Sequence, residues 1–152
     1  MGSQFTDLTP EGKRYFEKLK KLSKMEIRVG FQSGTNAYKD GADLIDVAAF
    51  NEFGTSDIPA RPFMRQSFES HEDKLKAAGR MANNALARGD SVEQVLKRTG
   101  VAAKGLIQKE IREGEFVPNK PSTVSKKGSD QPLIDTGHMR QSVQYVIKRK
   151  GV

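Results

Sequence analysis

Few of the 152 residues have types and spacing that could support chemistry. The sharpest group is Leu133-Ile134-Asp135-Thr136-Gly137, two apolar residues leading into Asp-Thr-Gly. An aspartate in such a turn can drive hydrolysis when two copies share one proton, because adjacent carboxylates cannot both ionise. Asp40, Asp43 and Asp46 have the spacing of carboxylate ligands, but an acid-rich helix start accounts for them more simply. His71 and His138 stand far apart, and there is no cysteine, so a zinc site would have to rely on carboxylates, which zinc seldom favours. No Gly-rich phosphate loop, HExxH or activated serine or lysine is present, and the sequence points to no catalytic residue, metal or cofactor.

The Asp-Thr-Gly pattern resembles the signature of aspartic proteases. His138 and Met139 follow where a small residue is needed, and the later apolar-Gly segment that supports such a loop is missing. A turn in which Asp135 and Thr136 bond nearby backbone amides is the preferred reading, and a homodimeric protease ranks last.

The net charge of +7, from 26 Lys and Arg against 19 Asp and Glu, suggests attraction to polyanions or to an acidic surface. The candidates for such contact are Lys74, Lys76, Arg80, Arg88, Lys97, Arg98, Lys104, Lys109 and Arg112. Glu72, Asp73, Glu93, Glu110 and Glu113 interleave with them and weaken the field, so non-specific DNA contact is the most this pattern supports. A basic DNA-binding accessory protein is the alternative function. No apolar run approaches the ~18 residues of a membrane span, and the chain is expected to be soluble and made in the cytoplasm. An apolar fraction of 36% against 30% charged residues implies a lean core, or burial completed by a partner subunit.

The punctuation outlines the elements. After a frayed 1–8, Thr9-Pro10-Glu11 opens a helix to about Leu22 with Tyr15, Phe16, Leu19 and Leu22 at helical spacing. Met25 to Phe31 alternates as a strand, and the following 32–41 is turn-rich. A helix from about Asp43 to Phe53 should carry one stripe of Leu44, Val47, Ala48 and Asn51, with Ile45, Ala49 and Phe53 beside it. Gly54 should stop it with a positive φ. Pro59 and Pro62 stiffen the connector, and Pro62 suits the first turn of a long helix reaching about Arg88, in which Gly79 could mark a kink or a close helix crossing. Ser91-Val92-Glu93-Gln94 is a capping box opening a helix to Gly114. Its buried side should hold Val95, Leu96, Ala102, Leu106 and Ile111, with Gly100 and Gly105 admitting another backbone. Residues 115–132 read as a long loop or an arm. Thr136 could cap a helical turn over Gly137 to Ser142, before a second strand near 143–149 that pairs antiparallel with the first. The expected fold is α+β, a single 1–152 domain in which a small antiparallel sheet packs with about four helices.

Within this order, Asn51-Glu52-Phe53-Gly54-Thr55, Ile58-Pro59-Ala60-Arg61-Pro62-Phe63 and the distal Pro132-Leu133-Ile134-Asp135-Thr136-Gly137 belong together. With Val29-Gly30-Phe31, Asp40-Gly41, Val47-Ala48, Met139, Ser142 and Tyr145, the pattern resembles a family of tailed-bacteriophage structural proteins. These are called neck, head–tail connector, tail-completion or virion-morphogenesis proteins, and the likeness spans about Met25 to Lys148. It implies a non-enzymatic subunit, of a phage or prophage, that forms homo-oligomeric rings where head meets tail. It also implies contacts with head-closure, tail-terminator or tail-tube proteins, a place in the virion, and the host bacterial cytoplasm during assembly. The residues carrying assembly or shape would be Glu52, Phe53, Gly54, Pro59, Arg61, Pro62, Phe63, Asp135, Thr136 and Gly137. Arg61, extended before Pro62, is expected to meet a carboxylate within the subunit or across an interface, with Glu52 and Asp57 the nearby intrachain candidates.

Overall fold

A computed structural model describes residues 8–32, 43–118, 120 and 137–151. Among these the order is α1 (Pro10–Leu22), β1 (Met25–Gly30), α2 (Leu44–Phe53), α3 (Phe63–Glu69), α4 (Glu72–Ala87), α5 (Val92–Glu113), α6 (His138–Gln141) and β2 (Gln144–Arg149). The fold is α+β, with a two-stranded antiparallel sheet as expected and six helices where about four were read. The turn at 33–42 and most of the loop at 119–136 lie outside the described residues.

Helix α5 is the axis. It starts on the anticipated capping box, with Ser91 and Gln94 exchanging side-chain and backbone hydrogen bonds of 2.9 and 3.1 Å. Its buried stripe is Val92, Val95, Leu96, Gly100, Ala103, Ile107, Glu110 and Ile111. This differs from the expected one in its second half, where Ala102 is exposed and Leu106 half-buried. The stripe is set by what covers it, two apolar clusters stacked along the helix. One joins Leu44, Ala48, Phe63, Ile107, Ile111, Met139 and Val143. The other joins Ala85, Leu86, Val92, Val95 and Leu96, with Tyr15, Leu19, Leu22, Met25, Ile27 and Ile147 packed against it.

The strands bridge these clusters. In the register Met25↔Arg149, Ile27↔Ile147 and Val29↔Tyr145, alternate residues share one face of the sheet, as the pleat dictates. That face lies on α5, and the Tyr145 ring occupies the space above Gly100, where a Cβ would come within 2.4 Å of it. Gly100 therefore admits a ring, not a backbone, and nothing lies within 4 Å of a Cβ at Gly105.

The expected long helix 62–88 is two helices. The break falls at Ser70 and His71, where His71 has φ −125° and ψ 30°, and Gly79 lies inside the continuous helix α4. Local polar groups explain the position. The Ser67 hydroxyl donates to the Met64 carbonyl at 2.7 Å and His71 Nδ1 lies 3.0 Å from the Ser67 carbonyl, both competing with helical bonding. Glu72 and Asp73 then favour a new helix N-terminus. Helix α1, capped by Thr9 as expected, has no fully buried residue. It is held by a Tyr15–Asn83 hydrogen bond, a Lys21–Glu93 ion pair and the half-buried Tyr15, Leu19 and Leu22.

Candidate functional site

The expected site residues that are described converge, Gly137 apart, on the corner where α2 turns into α3. Asp43 caps α2 through a 2.8 Å bond to the Ile45 amide, and Leu44 and Ala48 bury its inner face. At the far end the Gly54 amide donates to the Phe50 carbonyl at 2.8 Å. Gly54 has the expected positive φ of 75°, but its ψ of 171° lies outside the left-handed helical region, in a region essentially restricted to glycine. The reason is that the chain doubles back. A Cβ here would stand 2.8 Å from the Ala60 nitrogen and 3.0 Å from the Ile58 carbonyl oxygen.

The connector is tied by its own polar groups. The Thr55 amide donates to the Ile58 carbonyl at 2.8 Å, and the Thr55 hydroxyl accepts from the amides of Asp57 and Ile58 at 3.2 and 3.0 Å. The Arg61 amide donates back to the Asn51 carbonyl, fastening the connector to α2. Pro59 is exposed between these ties. Pro62 flanks α3 rather than forming its first turn. With φ −77° and ψ 66° it is the centre of an inverse γ-turn, closed by the Phe63 amide on the Arg61 carbonyl at 2.8 Å.

A proline at that position supplies no side-chain cap, and Glu52 takes over the task from α2. Its two carboxylate oxygens accept from the amides of Met64 at 2.9 Å and Arg65 at 3.1 Å. A carboxylate is favourable at a helix N-terminus, where it meets otherwise unpartnered amides. Phe63 is fully buried behind it, edge-on to Phe31 with ring centroids 6.1 Å apart. Complete burial of such a side chain contributes roughly 1.5–3 kcal/mol.

Among the described residues Arg61 meets no carboxylate, neither Glu52 nor Asp57. It is 7% exposed, and its Nε and Nη2 donate to the carbonyls of Val117 and Pro118 at 2.8 and 3.3 Å. Glu52 is committed to α3, Asp57 is exposed in the connector turn, and the segment leaving α5 returns to fill the place. Burial lowers the Arg61 pKa, and a guanidinium keeps its proton through such a shift. The corner is thus locked in two directions, α2 to α3 through Glu52 and the post-α5 segment to the connector through Arg61.

What the lock leaves outside is apolar. Phe53, expected beside the buried stripe of α2, is 80% exposed, and Phe50, Ile58 and Val117 are exposed around the same corner. Gly137, with φ 74°, starts α6 in the left-handed region, while Asp135 and Thr136 lie outside the described residues. Of the nine basic candidates on or beside α4 and α5, Lys76 pairs with Glu72, Arg98 with Asp90 and Arg112 with Glu113, interleaved as the sequence suggested. The Arg98 hydrogen bond holds the Asp90 carboxyl below its ordinary range, and the Lys21 hydrogen bond does the same to Glu93.

The sequence reading missed the burial of Glu110, which it names only among the acids interleaved with the basic residues. Glu110 is 6% exposed and accepts from Gln66 Nε2 at 2.7 Å. Its spacing from Ala103 and Ile107 on one face of α5 was the available signal. Among the described residues no group of three His, Asp or Glu could hold a metal ion, and no helix is long and apolar enough to cross a membrane. No protein-family model matches the chain, and no curated protein or solved structure matches it either.

Proposed function

We propose that the chain is a structural subunit of a tailed-phage virion, acting at the head–tail junction as a neck or tail-completion component. In this reading it catalyses nothing and works through homo-oligomeric contacts and contacts with head-closure, tail-terminator or tail-tube proteins. One observation carries the proposal. The described residues of the phage resemblance between α2 and α3 serve shape, and they leave Phe53 80% exposed at a corner with further exposed apolar residues around it. An aromatic side chain held out on a rigid support is suited to a partner's pocket, where aromatic anchors dominate binding energy. Glu52, Gly54 and Arg61 then act as positioning residues, and Phe53 as the contact.

The test is Phe53→Asp in a prophage-complementation assay with solution sizing. Phe53 is mostly exposed, so the variant should keep the wild-type circular dichroism spectrum and melting behaviour. It should fail to join heads to tails, with unjoined particles visible by electron microscopy. Mass-resolved sizing should show the wild-type chain, and not the variant, entering complexes alone or with neighbouring virion proteins. A variant that yields infectious particles at the wild-type level would sink the reading.

A further inference from the structure

Among the described residues Glu110 is the one buried acid, and it lines a pocket of about 290 Å³ between the α3–α4 break and the last turn of α5. Its Oε1 accepts the Gln66 amide at 2.7 Å. Its Oε2 accepts no hydrogen bond among the described residues. The nearest basic nitrogen, His71 Nδ1, is 3.9 Å away and lies 3.0 Å from the Ser67 carbonyl, which can accept but not donate, so a proton on Nδ1 is directed to that carbonyl. A carboxylate nine-tenths buried with one oxygen accepting no hydrogen bond is costly unless a charge-bearing donor reaches it.

The rest of the pocket repeats the same imbalance. The Gln66 amide nitrogen is shared between Glu110 Oε1 and the Glu115 carbonyl, which leaves the Gln66 side-chain oxygen as an acceptor. Glu113 and Glu115 stand at the rim, and Lys109 is the one lysine or arginine lining it, in no ion pair with them among the described residues. Gly114 keeps the floor open, since a Cβ there would lie 2.7 Å from Glu110 Oε1 and 2.6 Å from the Phe116 ring. Among the described residues no group of three His, Asp or Glu here could hold a metal ion. The ligand that fits is monovalent, rich in donors and free of acceptors.

We infer that this pocket receives an arginine side chain from a partner protein, its guanidinium donating to Glu110 Oε2 and to the Gln66 side-chain oxygen. A guanidinium offers five N–H donors in a planar fork and no acceptor, the complement of what lines the pocket. The inference stands on the pocket's chemistry and does not depend on the phage reading.

The experiment is an NMR titration of the full chain with Nα-acetyl-arginine methylamide, reading the Gln66 side-chain amide and the Gly114 backbone amide. The controls are the equivalent citrulline derivative, neutral and nearly isosteric, and the lysine derivative. Saturable shifts at both reporters are expected with the arginine probe, with affinity about tenfold or more lower for citrulline, as loss of a charged hydrogen bond entails. Glu110→Gln, checked for native spectral dispersion, should lose the arginine response, and the citrulline comparison on the wild-type chain decides the matter if that variant does not fold. Absence of saturable shifts, or equal binding of citrulline, overturns the proposal. Equal binding of the lysine probe overturns the assignment to arginine.

Discussion

Replacing Gly54 with alanine tests the corner most directly, because two separable costs can be read from the structure. The first is conformational. With φ 75° and ψ 171°, residue 54 occupies backbone space nearly closed to other residues, a penalty of about 1–3 kcal/mol. The second is steric. The new Cβ would stand 2.8 Å from the Ala60 nitrogen and 3.0 Å from the Ile58 carbonyl oxygen, and both are backbone atoms pinned by the ties around Thr55 and Arg61. Overpacking of that kind costs about 1–3 kcal/mol. Against these, alanine reduces the entropy of the unfolded chain and returns about 0.4–1 kcal/mol. The net expectation is a loss of about 1–5.5 kcal/mol, against a total stability on the order of 5–15 kcal/mol for a domain. Gly79→Ala is the internal control. It lies in the middle of α4 with nothing within 4 Å of its Cβ position, so alanine there should stabilise by about 0.8–1 kcal/mol. Urea unfolding followed by circular dichroism, with both variants and wild type fitted to a common slope, measures the difference. If Gly54→Ala lost less than about 1 kcal/mol while Gly79→Ala behaved as expected, the idea that the connector is rigidly fastened to α2 would be wrong.

Two further outcomes follow from the ties around the corner and along α5. Arg61→Met should cost about 1–3 kcal/mol, because it removes charged donors to the Val117 and Pro118 carbonyls, and should make 114–118 more susceptible to proteolysis. Unchanged cleavage there would mean that the guanidinium does not hold this segment. The Asp90–Arg98 contact should make stability depend on acid pH. The folded pKa of Asp90 is depressed, so its contribution is fully present above the ordinary carboxylate value of 3.8 and is lost as pH falls through the lower folded value. Asp90→Asn should flatten that part of the profile, and high salt should blunt it in the wild type because both groups are exposed. Coincident profiles for Asp90→Asn and wild type at low salt would refute the assignment.

Local signals in the chain were enough to place most elements. Thr9-Pro10, Asp43 and the Ser91–Gln94 capping box are self-contained, since the groups they satisfy lie within one helical turn, and each starts a helix where the sequence said. Strict alternation over Met25 to Phe31 and Val143 to Ile147 determined both strands and the face each would bury, because the side-chain period of a strand is 2. A positive φ at Gly54 was also legible, because a glycine closing an apolar stripe has few other uses. Tertiary structure alone decided who meets whom. Glu52 and Arg61 are nearby opposite charges and invite pairing on paper, but unpartnered amides at the start of α3 claimed the carboxylate, and the strand of chain after α5 claimed the guanidinium. The same holds for the shift of the buried stripe to Ala103 and Ile107 and for the burial of Glu110. Each depends on which surface arrives from far along the chain, and side-chain spacing carries no record of that.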